Sequence, residues 1–469
     1  MDFPNDFSQS LLHLSENEIS KLKTALNSKG ATTVRINKRK NFETHPHFKR
    51  IPWASNSIIL PERPKFTLDP LFQAGGYYVQ EAASMFLEQG FSQIAELKRS
   101  IRALDLCAAP GGKSTHLIDL LSEGSLLVSN EIIHSRVGAL RDNLSKWGDT
   151  KVLCTNNSAA DFGNNPNSFD FILVDAPCSG EGMFRDKEAR EQWSIQNVGL
   201  CASRQRKILA EIWPALKPGG ILCYSTCTFN LQENEENLKW LSTHNELEFI
   251  ELSFSSEWGI VDEKIKGVPG YRFYPHATQG EGFFVCFMQK SGPLGGAQFK
   301  NISQEKHPKR KGRTANKNSN HFEEIKKKVS LQTDTEIVEK FDMLYAFPKS
   351  HVPFVENLIG IKLKKLGVCL GEMKGKNFVP HHELALSVSS ASKFPSRELT
   401  LQQALQFLKK QDFFFDSDSR GFILLTHKGL GLGWVKHLGS RINNYLPASS
   451  RILMEIPSEF SESDLWWNN

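Results

Sequence analysis

Residues 101–115 read IRALDLCAAPGGKST, an apolar run that ends at Leu106 and is followed by a loop of small residues. The run is typical of a buried strand, and the residues after Gly112 have the pattern of a helix. A small-residue loop between a strand and a helix lets a ligand approach the backbone N–H groups at the helix start. The stretch therefore predicts the first strand, turn and helix of an open α/β sheet, with a ligand site at the edge of that sheet.

Four more apolar runs repeat this arrangement between about residues 100 and 290. With the first run they are IRALDL, SLLVSN, KVLCT, FDFILVDA and GILCYST, and helix-length segments separate them. Alternating strands and helices are typical of βαβ units that form a parallel sheet. We therefore predict a doubly wound, Rossmann-like α/β core.

The composition is that of a soluble, folded protein with several domains. The 469 residues include 57 Lys and Arg against 52 Asp and Glu, with 39% hydrophobic and 23% charged residues. These values exclude disorder throughout, and the length suggests about three domains. The eight cysteines contain no C-x-x-C pair, which favours a reducing cytoplasm. Acids among the first residues and short apolar runs predict a cytoplasmic protein that is neither exported nor inserted in a membrane.

Shifts in composition divide the chain into five segments. We predict an N-terminal α+β extension at 1–95, the core at 96–292, a basic flexible linker at 293–325, a small α/β domain at 326–395 and a last domain at 396–469. In the last two segments FDMLYAF, LALSV and FILLTH have the pattern of strands, and LQQALQFL has that of a helix. The sequence leaves open whether Trp466 and Trp467 are docked or exposed.

The linker region is strongly basic. Between residues 300 and 328 the sequence has ten Lys or Arg and only three Glu. Such a run attracts polyphosphate backbones by counterion release. It is equally typical of a solvated segment whose charges keep it soluble, and both interpretations stay open.

The loop from Cys107 to Gly112 is not a phosphate-binding motif. A Walker loop needs glycine at the position of Cys107, and the pattern G-x-G-x-x-G is absent. The next strand ends at Asn130 and Glu131, where open α/β sheets commonly hold a ribose diol. Taken alone, Glu131 is an acid at the start of the following helix. Together with the loop it favours a nucleoside cofactor without a triphosphate.

The fourth and fifth predicted strands bring polar residues to the same edge of the sheet. Asp175 and Cys178 follow the fourth strand and Cys227 follows the fifth, so the three side chains can converge on one substrate. Cys178 and Cys227 lie in polar loops. Lone cysteines are usually small buried hydrophobic residues, and we assign that role to Cys154, Cys201, Cys223, Cys286 and Cys369.

Two cysteines and an aspartate at one edge suit methylation of cytosine. Carbon 5 of cytosine is a poor nucleophile until a group adds to carbon 6, and a thiolate is a natural adduct-former. A protonated carboxyl that binds ring nitrogen 3 would stabilise the charge that develops there, and Asp175 is placed for this task. Removal of the proton on carbon 5 and release of the adduct need a second acid or base, and Cys178 can serve.

Three motifs resemble those of a known family: LDLCAAPGGKST, DAPCSGEGMFRD and YSTCTFN. Together they resemble the Nop/Sun-type family of RNA (cytosine-5) methyltransferases, in its bacterial ribosomal-RNA branch. The stretch ERPKFTLDPLFQAGGYYVQEAASM, with Gln80 and Ser84, resembles the segment that precedes the fold in that family. LGWVKHLGSRINNYLPASSRI resembles the closing segment of the bacterial branch, which carries a PUA-like RNA-binding domain. The resemblance therefore covers most of the chain.

The resemblance implies a class I methyltransferase core with S-adenosylmethionine as methyl donor. It implies that Cys227 attacks carbon 6 and that Cys178 assists release. It also implies that Asp175 holds the cytosine and that Lys113 reaches toward the active site. The implied donor-binding residues are Cys107, Ala108, Ala109, Pro110, Gly111, Gly112, Lys113, Glu131, Ser158 and Asp175. Where this chain has Ser158 the family usually has an aspartate near the adenine, so a charge is missing there and donor affinity is the property affected.

The implied substrate is small-subunit (16S) ribosomal RNA, and the implied enzyme is a monomer. The flanking domains would hold the RNA while the cytosine leaves its stack. We expect no metal, because no Cys or His pair completes a zinc-binding set. Phe184 either packs on a nucleotide or belongs to the core. Four arginines are either phosphate contacts or ordinary solvated side chains: Arg185, Arg190, Arg204 and Arg206.

Two alternatives stay open. In the first, Cys178 is the nucleophile, as the Pro-Cys cysteine of DNA cytosine methyltransferases is, and the substrate is DNA or RNA. In the second, the chain is an RNA-binding ribosome-assembly factor with a vestigial methyl site. The presence of Lys113, Asp175 and both cysteines argues against this second alternative, because a mere RNA binder has no use for them.

Overall fold

The computed structural model describes residues 3–40, 42, 44, 47–292, 325–331, 334–375, 377–388 and 393–468. The predicted linker at 293–325 lies outside these ranges except for Ile325. No helix within the described ranges is long and apolar enough to cross a membrane. The α-helices with both ends inside these ranges are α1 (Glu16–Leu26), α2 (Pro70–Gln73), α3 (Leu87–Gln93), α4 (Gly112–Leu120), α5 (His134–Trp147), α6 (Ala159–Gly163), α7 (Lys187–Gln192), α8 (Ile195–Ile212), α9 (Glu235–His244), α10 (Val352–Asn357), α11 (His382–Leu386) and α12 (Leu401–Leu408), and residues 325–328 are also helical.

The N-terminal segment forms a three-stranded antiparallel sheet that packs on the core. Its central strand β1 (Thr32–Ile36) lies between β2 (Ser57–Leu60) and β3 (Tyr77–Val79). Arg35 on β1 is buried, forms an ion pair with Asp119 of α4, and stacks 4.5 Å from the ring of Trp147. A buried arginine is costly unless it is paired, so these contacts fix the N-terminal sheet against α4 and α5.

A mixed nine-stranded sheet forms the core. The five predicted strands are confirmed as β4 (Arg102–Asp105), β5 (Leu126–Asn130), β6 (Val152–Thr155), β7 (Phe169–Asp175) and β8 (Leu216–Thr226). They are parallel, in the order β6-β5-β4-β7-β8. From β4 the chain adds β5 and β6 on one side of the sheet and then β7 and β8 on the other. The topological switch point therefore lies at the carboxyl end of β4.

Both faces of the five parallel strands are covered, which explains why they read as continuous apolar runs. Ala103 and Leu127 pack into one hydrophobic cluster, while Leu104 and Val128 pack into the cluster on the opposite face. Neighbouring residues of a strand point to opposite faces, so each strand needs apolar residues at consecutive positions. The expectation of a doubly wound α/β core is confirmed.

Antiparallel strands complete the core sheet. β13 (Phe283–Lys290) pairs with β8, with β9 (Leu247–Ile250) and with β12 (Tyr271–Phe273), while β10 (Lys264–Ile265) and β11 (Val268–Pro269) form a separate hairpin. At the opposite edge, β16 (Leu363–Leu366) pairs with β6. The segment that we predicted as a separate small domain therefore contributes one strand to the core sheet.

The remainder of that segment is a four-stranded antiparallel sheet. Its strands are β14 (Thr335–Lys340), β15 (Met343–Pro348), β17 (Val368–Lys374) and β18 (Asn377–Pro380), and β15 confirms the predicted strand FDMLYAF. The predicted strand LALSV is wrong, because its first three residues end the helix α11. Leu384, Ala385 and Leu386 are all buried, so the alternation of a half-buried strand is absent, and Leu and Ala are strong helix formers.

The C-terminal segment forms the sheet β19 (Ser396–Glu398), β20 (Gly421–His427), β21 (Leu430–His437) and β22 (Ile442–Asn444). The predicted helix LQQALQFL and strand FILLTH are confirmed as α12 and β20. Trp466 and Trp467 are docked, each 6% exposed, in a hydrophobic cluster shared with the N-terminal sheet. Trp467 Nε1 donates a hydrogen bond to the carboxylate of Asp69, 3.0 Å away.

Candidate active site

The loop after β4 lies at the switch point and is hydrogen-bonded to the end of β5 and to α5. Gly111 has φ +115°, a conformation that favours glycine, and α4 begins immediately after it. The Ala108 amide donates to the carbonyl of Asn130 at 2.8 Å, and Arg136 Nη2 donates to the carbonyl of Ala109 at 2.6 Å. These bonds tie the predicted donor-binding loop to the end of β5.

The end of β5 places Glu131 beside this loop, 2% exposed. Its Oε1 accepts a hydrogen bond from the Ile133 amide at 2.8 Å, as an acid at a helix start does. Its Oε2 is buried and accepts no hydrogen bond from any described residue, with Arg136 Nη1 3.5 Å away. Glu131 therefore caps the segment before α5 and still has one carboxylate oxygen available for a hydroxyl donor.

Asp105, at the end of β4, was missed by our sequence analysis. It is fully buried, and burial raises the pKa of its carboxyl to about 7. Ser114 Oγ donates to its Oδ2 at 2.6 Å, while its Oδ1 has no hydrogen-bond partner among the described residues. The signal was an acid inside an apolar strand directly before the small-residue loop.

Ser158 lies after β6, at the start of α6, and is half-buried. Its Oγ accepts a hydrogen bond from the Asp161 amide at 3.3 Å, and its own amide donates to Asp161 Oδ2 at 2.9 Å. This reciprocal capping box satisfies N–H groups at the helix start. The Ser158 hydroxyl therefore has a structural role here, and its contact with the adenine stays a prediction.

The two predicted catalytic cysteines are in contact. Cys178 Sγ lies 3.0 Å from Cys227 Sγ, and the Cys227 amide donates to Cys178 Sγ at 3.3 Å. The hydrogen bond with Cys227, together with burial, raises the pKa of the Cys178 thiol well above its ordinary value. The raised pKa disfavours the thiolate form of Cys178, and either sulfur can donate in the contact between the two.

Lys113 and Asp175 form an ion pair beside the cysteines. Lys113 Nζ lies 2.8 Å from Asp175 Oδ2, and Ser225 Oγ donates to Asp175 Oδ1 at 2.7 Å. Burial lowers the pKa of Lys113, but the attraction of Asp175 more than offsets this and leaves that pKa raised. The Asp175 side chain is 32% exposed, so a substrate can reach it. The structure thus brings together Lys113, Asp175, Cys178 and Cys227.

Two buried glutamates, which our sequence analysis also missed, hold the cysteine loops. Glu233 accepts hydrogen bonds from the Ser179 amide at 3.0 Å, from Gln205 Nε2 at 2.8 Å and from Asn230 Nδ2 at 2.8 Å. Ser179 directly follows Cys178, so Glu233 fixes the backbone beside that thiol. The sequence around Glu233 does not mark this role, because its partners Ser179 and Gln205 come from distant segments.

Glu181 does the same for the second loop. Its Oε2 accepts from Thr228 Oγ1 at 2.7 Å and from the amides of Phe229 and Asn230 at 2.8 and 3.0 Å. Burial raises the pKa of this carboxyl, although the hydrogen bonds from Thr228 and Phe229 oppose the shift. Thr228 directly follows Cys227, so each cysteine precedes a residue that is bonded to a buried carboxyl.

The structure shows the contacts of Phe184 and of the four arginines for which the sequence left two interpretations open. Phe184 is fully buried, 4.9 Å from the ring of Phe7, which supports its core interpretation. Arg185 donates to the carbonyls of Ala25, Ser28 and Gly280 and pairs with Glu281 at 2.6 Å.

The remaining arginines differ from one another. Arg190 Nη2 donates to the Leu26 carbonyl at 3.0 Å, and Arg206 Nε donates to Asn237 Oδ1 at 2.7 Å, whereas Arg204 is exposed. Arg185, Arg190 and Arg206 therefore make protein contacts that a solvated side chain lacks. In the described ranges, no group of three or more His, Cys, Asp or Glu is arranged to hold a metal ion.

Comparison with protein families finds matches along most of the chain. Residues 93–289 match the family described as 16S rRNA methyltransferase RsmB/F. The flanking matches are to the N-terminal domain of 16S rRNA methyltransferase RsmF at 3–82, the RsmF rRNA methyltransferase first C-terminal domain at 321–388 and the methyltransferase RsmF PUA domain at 394–452. The exact domain boundaries that we predicted stay predictions.

Curated relatives and solved structures agree with these matches. The chain is 31% identical over 416 residues to ribosomal RNA small subunit methyltransferase F of Shewanella loihica, covering 85% of this chain and 83% of the relative. It is 31% identical over 415 residues to the Aliivibrio fischeri protein of the same name, covering 85% and 84%. A methyltransferase homologue from Pyrococcus horikoshii superposes with a TM-score of 0.52 at 27% identity, covering 61% of this chain and 95% of that one.

Proposed function

Because this chain belongs to the RsmB/F family of 16S rRNA methyltransferases, we propose that its methyl acceptor is carbon 5 of one cytosine in small-subunit ribosomal RNA. The observation that carries this proposal is the 3.0 Å contact between Cys178 and Cys227, next to the Lys113–Asp175 pair. An amine or hydroxyl acceptor would need no thiol nucleophile. A pyrimidine carbon acceptor needs one sulfur to add and a second group to help the adduct leave.

We assign the attack on carbon 6 to Cys227. A thiolate is the nucleophilic form of cysteine, and a hydrogen-bond donor beside it stabilises that form. The raised pKa of Cys178 disfavours its thiolate form, and the resemblance of the YSTCTFN motif implies Cys227 as the attacking sulfur. This favours Cys227 over the alternative in which Cys178 is the nucleophile.

Asp175 and Lys113 would stabilise the ring during this attack. Asp175 accepts hydrogen bonds from Lys113 and Ser225, which is the pattern of an ionised carboxylate. Our expectation of a protonated carboxyl at ring nitrogen 3 therefore requires a proton source. Lys113 Nζ, 2.8 Å from Asp175, is the group that can supply that proton as negative charge develops on the ring.

Release of the product would use Cys178. Cys178 would first lose its thiol proton to solvent, and its sulfur would then take the proton from carbon 5. The electron pair of that C–H bond would form the double bond between carbons 5 and 6, the bond between Cys227 and carbon 6 would break, and Cys227 would leave as a thiolate. The proton held at ring nitrogen 3 would return to Lys113. A thiol with a raised pKa is a strong base once it has lost its proton. The newly protonated Cys178 can then donate to the Cys227 thiolate, which restores the starting pair.

S-adenosylmethionine would supply the electrophilic methyl group. The residues that fit its binding lie at three strand ends: the loop 107–113 after β4, Glu131 after β5 and Ser158 after β6. The buried oxygens of Glu131 and Asp105 that lack a hydrogen-bond partner are the strongest sign of a polar ligand here, because buried polar atoms are usually satisfied.

The test is transfer of labelled methyl groups from S-adenosylmethionine into ribosomal RNA of a strain that lacks this gene. The wild type should label small-subunit RNA at one 5-methylcytosine. Cys227→Ala should abolish both label and adduct, whereas Cys178→Ala should accumulate a covalent RNA adduct. The reverse pattern would make Cys178 the nucleophile. Tight RNA binding without labelling would instead indicate an assembly factor.

A further inference from the structure

A large cavity lies between the N-terminal sheet and the loops that support Cys227. Its volume is about 930 Å³, and its core-side wall includes Arg185 and Gly280. Three residues before Arg185, the Gly182 amide donates to the Cys227 carbonyl at 2.8 Å, and the Gly282 amide contacts the Gly182 carbonyl. The wall of the cavity is therefore continuous with the loop that carries the proposed nucleophile.

The opposite wall carries three exposed basic side chains: Lys29, Lys49 and Arg63. The sheet brings them together. Lys29 precedes the start of β1 and Arg63 follows the end of β2, and these two strand ends are paired through Thr32 and Leu60. Lys49 lies alongside, because its carbonyl accepts a hydrogen bond from the Ile59 amide of β2 at 2.8 Å.

The charge of this wall is unbalanced. Within the part of the chain that the structure describes, none of these three side chains forms an ion pair with an acid, and Glu62 is the acid that lines the same cavity. Arg185 is different, because its guanidinium is already paired with Glu281 and hydrogen-bonded to backbone carbonyls. It lines the cavity without offering an unpaired charge. Unpaired basic side chains around a groove attract a phosphate backbone.

This first cavity, which we call the groove, also has an apolar surface. Phe48 is half-buried and lines both this cavity and a second one of about 740 Å³, which shares Pro61, Glu62 and Arg63 with the first. The second cavity reaches Phe460 and Trp466 of the C-terminal segment, but Glu459 and Asp464 make it mixed in charge. Aromatic faces beside basic side chains are typical of single-strand binding grooves.

We propose that the first cavity binds the single-stranded RNA next to the target cytosine, with Lys29, Lys49 and Arg63 contacting its phosphates. This proposal rests on the proposed function, since it names where that enzyme holds its substrate. A base taken out of its stack needs the strand on at least one side to be held, and the segment that supplies one wall of this groove is hydrogen-bonded to the Cys227 loop through Gly182.

The test compares two triple variants that remove the same charge. In the first, Lys29, Lys49 and Arg63 become alanine, and in the control, exposed Lys207, Lys239 and Lys374 become alanine, none of which lines the described cavities. Binding of 16S RNA from a strain lacking this gene is measured against salt concentration. The groove variant should bind about 10-fold more weakly and reduce the salt slope by about 2, because each single-strand phosphate contact contributes about 0.7.

Affinity for S-adenosylmethionine and the melting temperature should match those of the wild type in both triple variants. The single charge reversal Lys49→Glu should also weaken RNA binding. It keeps the proposal testable if the triple variant does not fold. If the wild type methylates RNA but the groove and control variants have equal RNA affinity and salt slope, the groove proposal is wrong. Absence of methylation and RNA binding in the wild type would instead overturn the proposed function.

Discussion

Glu233 accepts a hydrogen bond from the backbone amide of Ser179, 3.0 Å away, and so holds the residue that follows Cys178. The same carboxylate accepts from Gln205 and Asn230. A glutamine side chain keeps the size of Glu233 but replaces one acceptor oxygen by an NH₂ group that cannot accept from these donors. Glu233→Gln should therefore move the Cys178 loop and reduce the rate of methyl transfer by about 100-fold, as misplaced catalytic groups do.

Single-turnover methyl transfer at saturating RNA and donor measures this effect, and a denaturant titration should show a loss of about 1–3 kcal/mol of stability. Glu236→Gln is the matched control, because Glu236 is three residues away, partly exposed and paired with Lys266. A Glu233→Gln enzyme with the wild-type rate would show that Glu233 supports the fold without positioning Cys178.

Glu131→Gln should weaken donor binding without affecting RNA binding. The buried Oε2 of Glu131 has no hydrogen-bond partner among the described residues, and a ribose hydroxyl would give it one. Hydrogen bonds to charged groups are worth about 1.5–3 kcal/mol, so the dissociation constant for S-adenosylmethionine should rise at least about 10-fold. Calorimetric titration measures it, and Glu123→Gln, at a side chain 79% exposed, is the control. An unchanged constant would limit Glu131 to its contact with the Ile133 amide.

Asp105 should make stability depend on pH in a defined direction. Burial raises the pKa of its carboxyl from 3.8 to about 7, so the folded protein holds a proton that the unfolded chain has lost between these values. Stability should therefore fall as pH rises from about 4 to 7, and the full cost is present above about pH 7. Without donor, Asp105→Asn should be more stable than the wild type at about pH 8, by at most about 4 kcal/mol. Denaturant titrations at several pH values measure the difference, which should vanish near pH 4; a constant difference would contradict the assignment.

The core sheet could be predicted because its information is local. Each of the five parallel strands is buried on both faces, so runs such as FDFILVDA mark them without reference to the remainder of the chain. The edge strand β16 could not be predicted, because it pairs with β6 from a distant segment and two of its four residues are lysines, of which Lys364 is exposed. LALSV failed for a different reason, since five residues are too few to distinguish a strand from a buried helical turn.

In the candidate site, too, some residues could be predicted from local sequence and others could not. Asp175, Cys178 and Cys227 follow strands that could be recognised, and parallel strands bring their carboxyl ends to one edge. Glu181 and Glu233 could not be recognised, because their hydrogen-bond partners include residues of distant loops and of α8, and these contacts form only in the folded chain. Arg185 illustrates the limit for charged residues, since the sequence does not distinguish a phosphate contact from the carbonyl contacts that it makes.

The docked C-terminus should stabilise the N-terminal sheet. Trp467 Nε1 donates to Asp69, which also accepts from the Tyr77 hydroxyl and the Leu71 amide. Trp467→Phe keeps a buried ring but removes this donor, so the unfolding free energy should fall by about 1–3 kcal/mol. Chemical denaturation measures the loss, and Leu453→Ala, at a side chain 82% exposed, should cost much less. Equal stability of the wild type and Trp467→Phe would show that this hydrogen bond contributes nothing.

Ser158→Asp should tighten donor binding. Serine and aspartate are comparable at a helix N-cap, so the bond from the Asp161 amide can persist while a carboxylate is added beside the predicted adenine position. A charged acceptor for the adenine amino group is worth about 1–2 kcal/mol more than a hydroxyl, which predicts a dissociation constant for S-adenosylmethionine about 10-fold lower. Ser158→Ala is the control for the cap, since it removes the hydroxyl without adding charge and should lower stability. If donor affinity is the same in Ser158→Asp and the wild type, Ser158 does not lie at the adenine and its role is confined to starting α6.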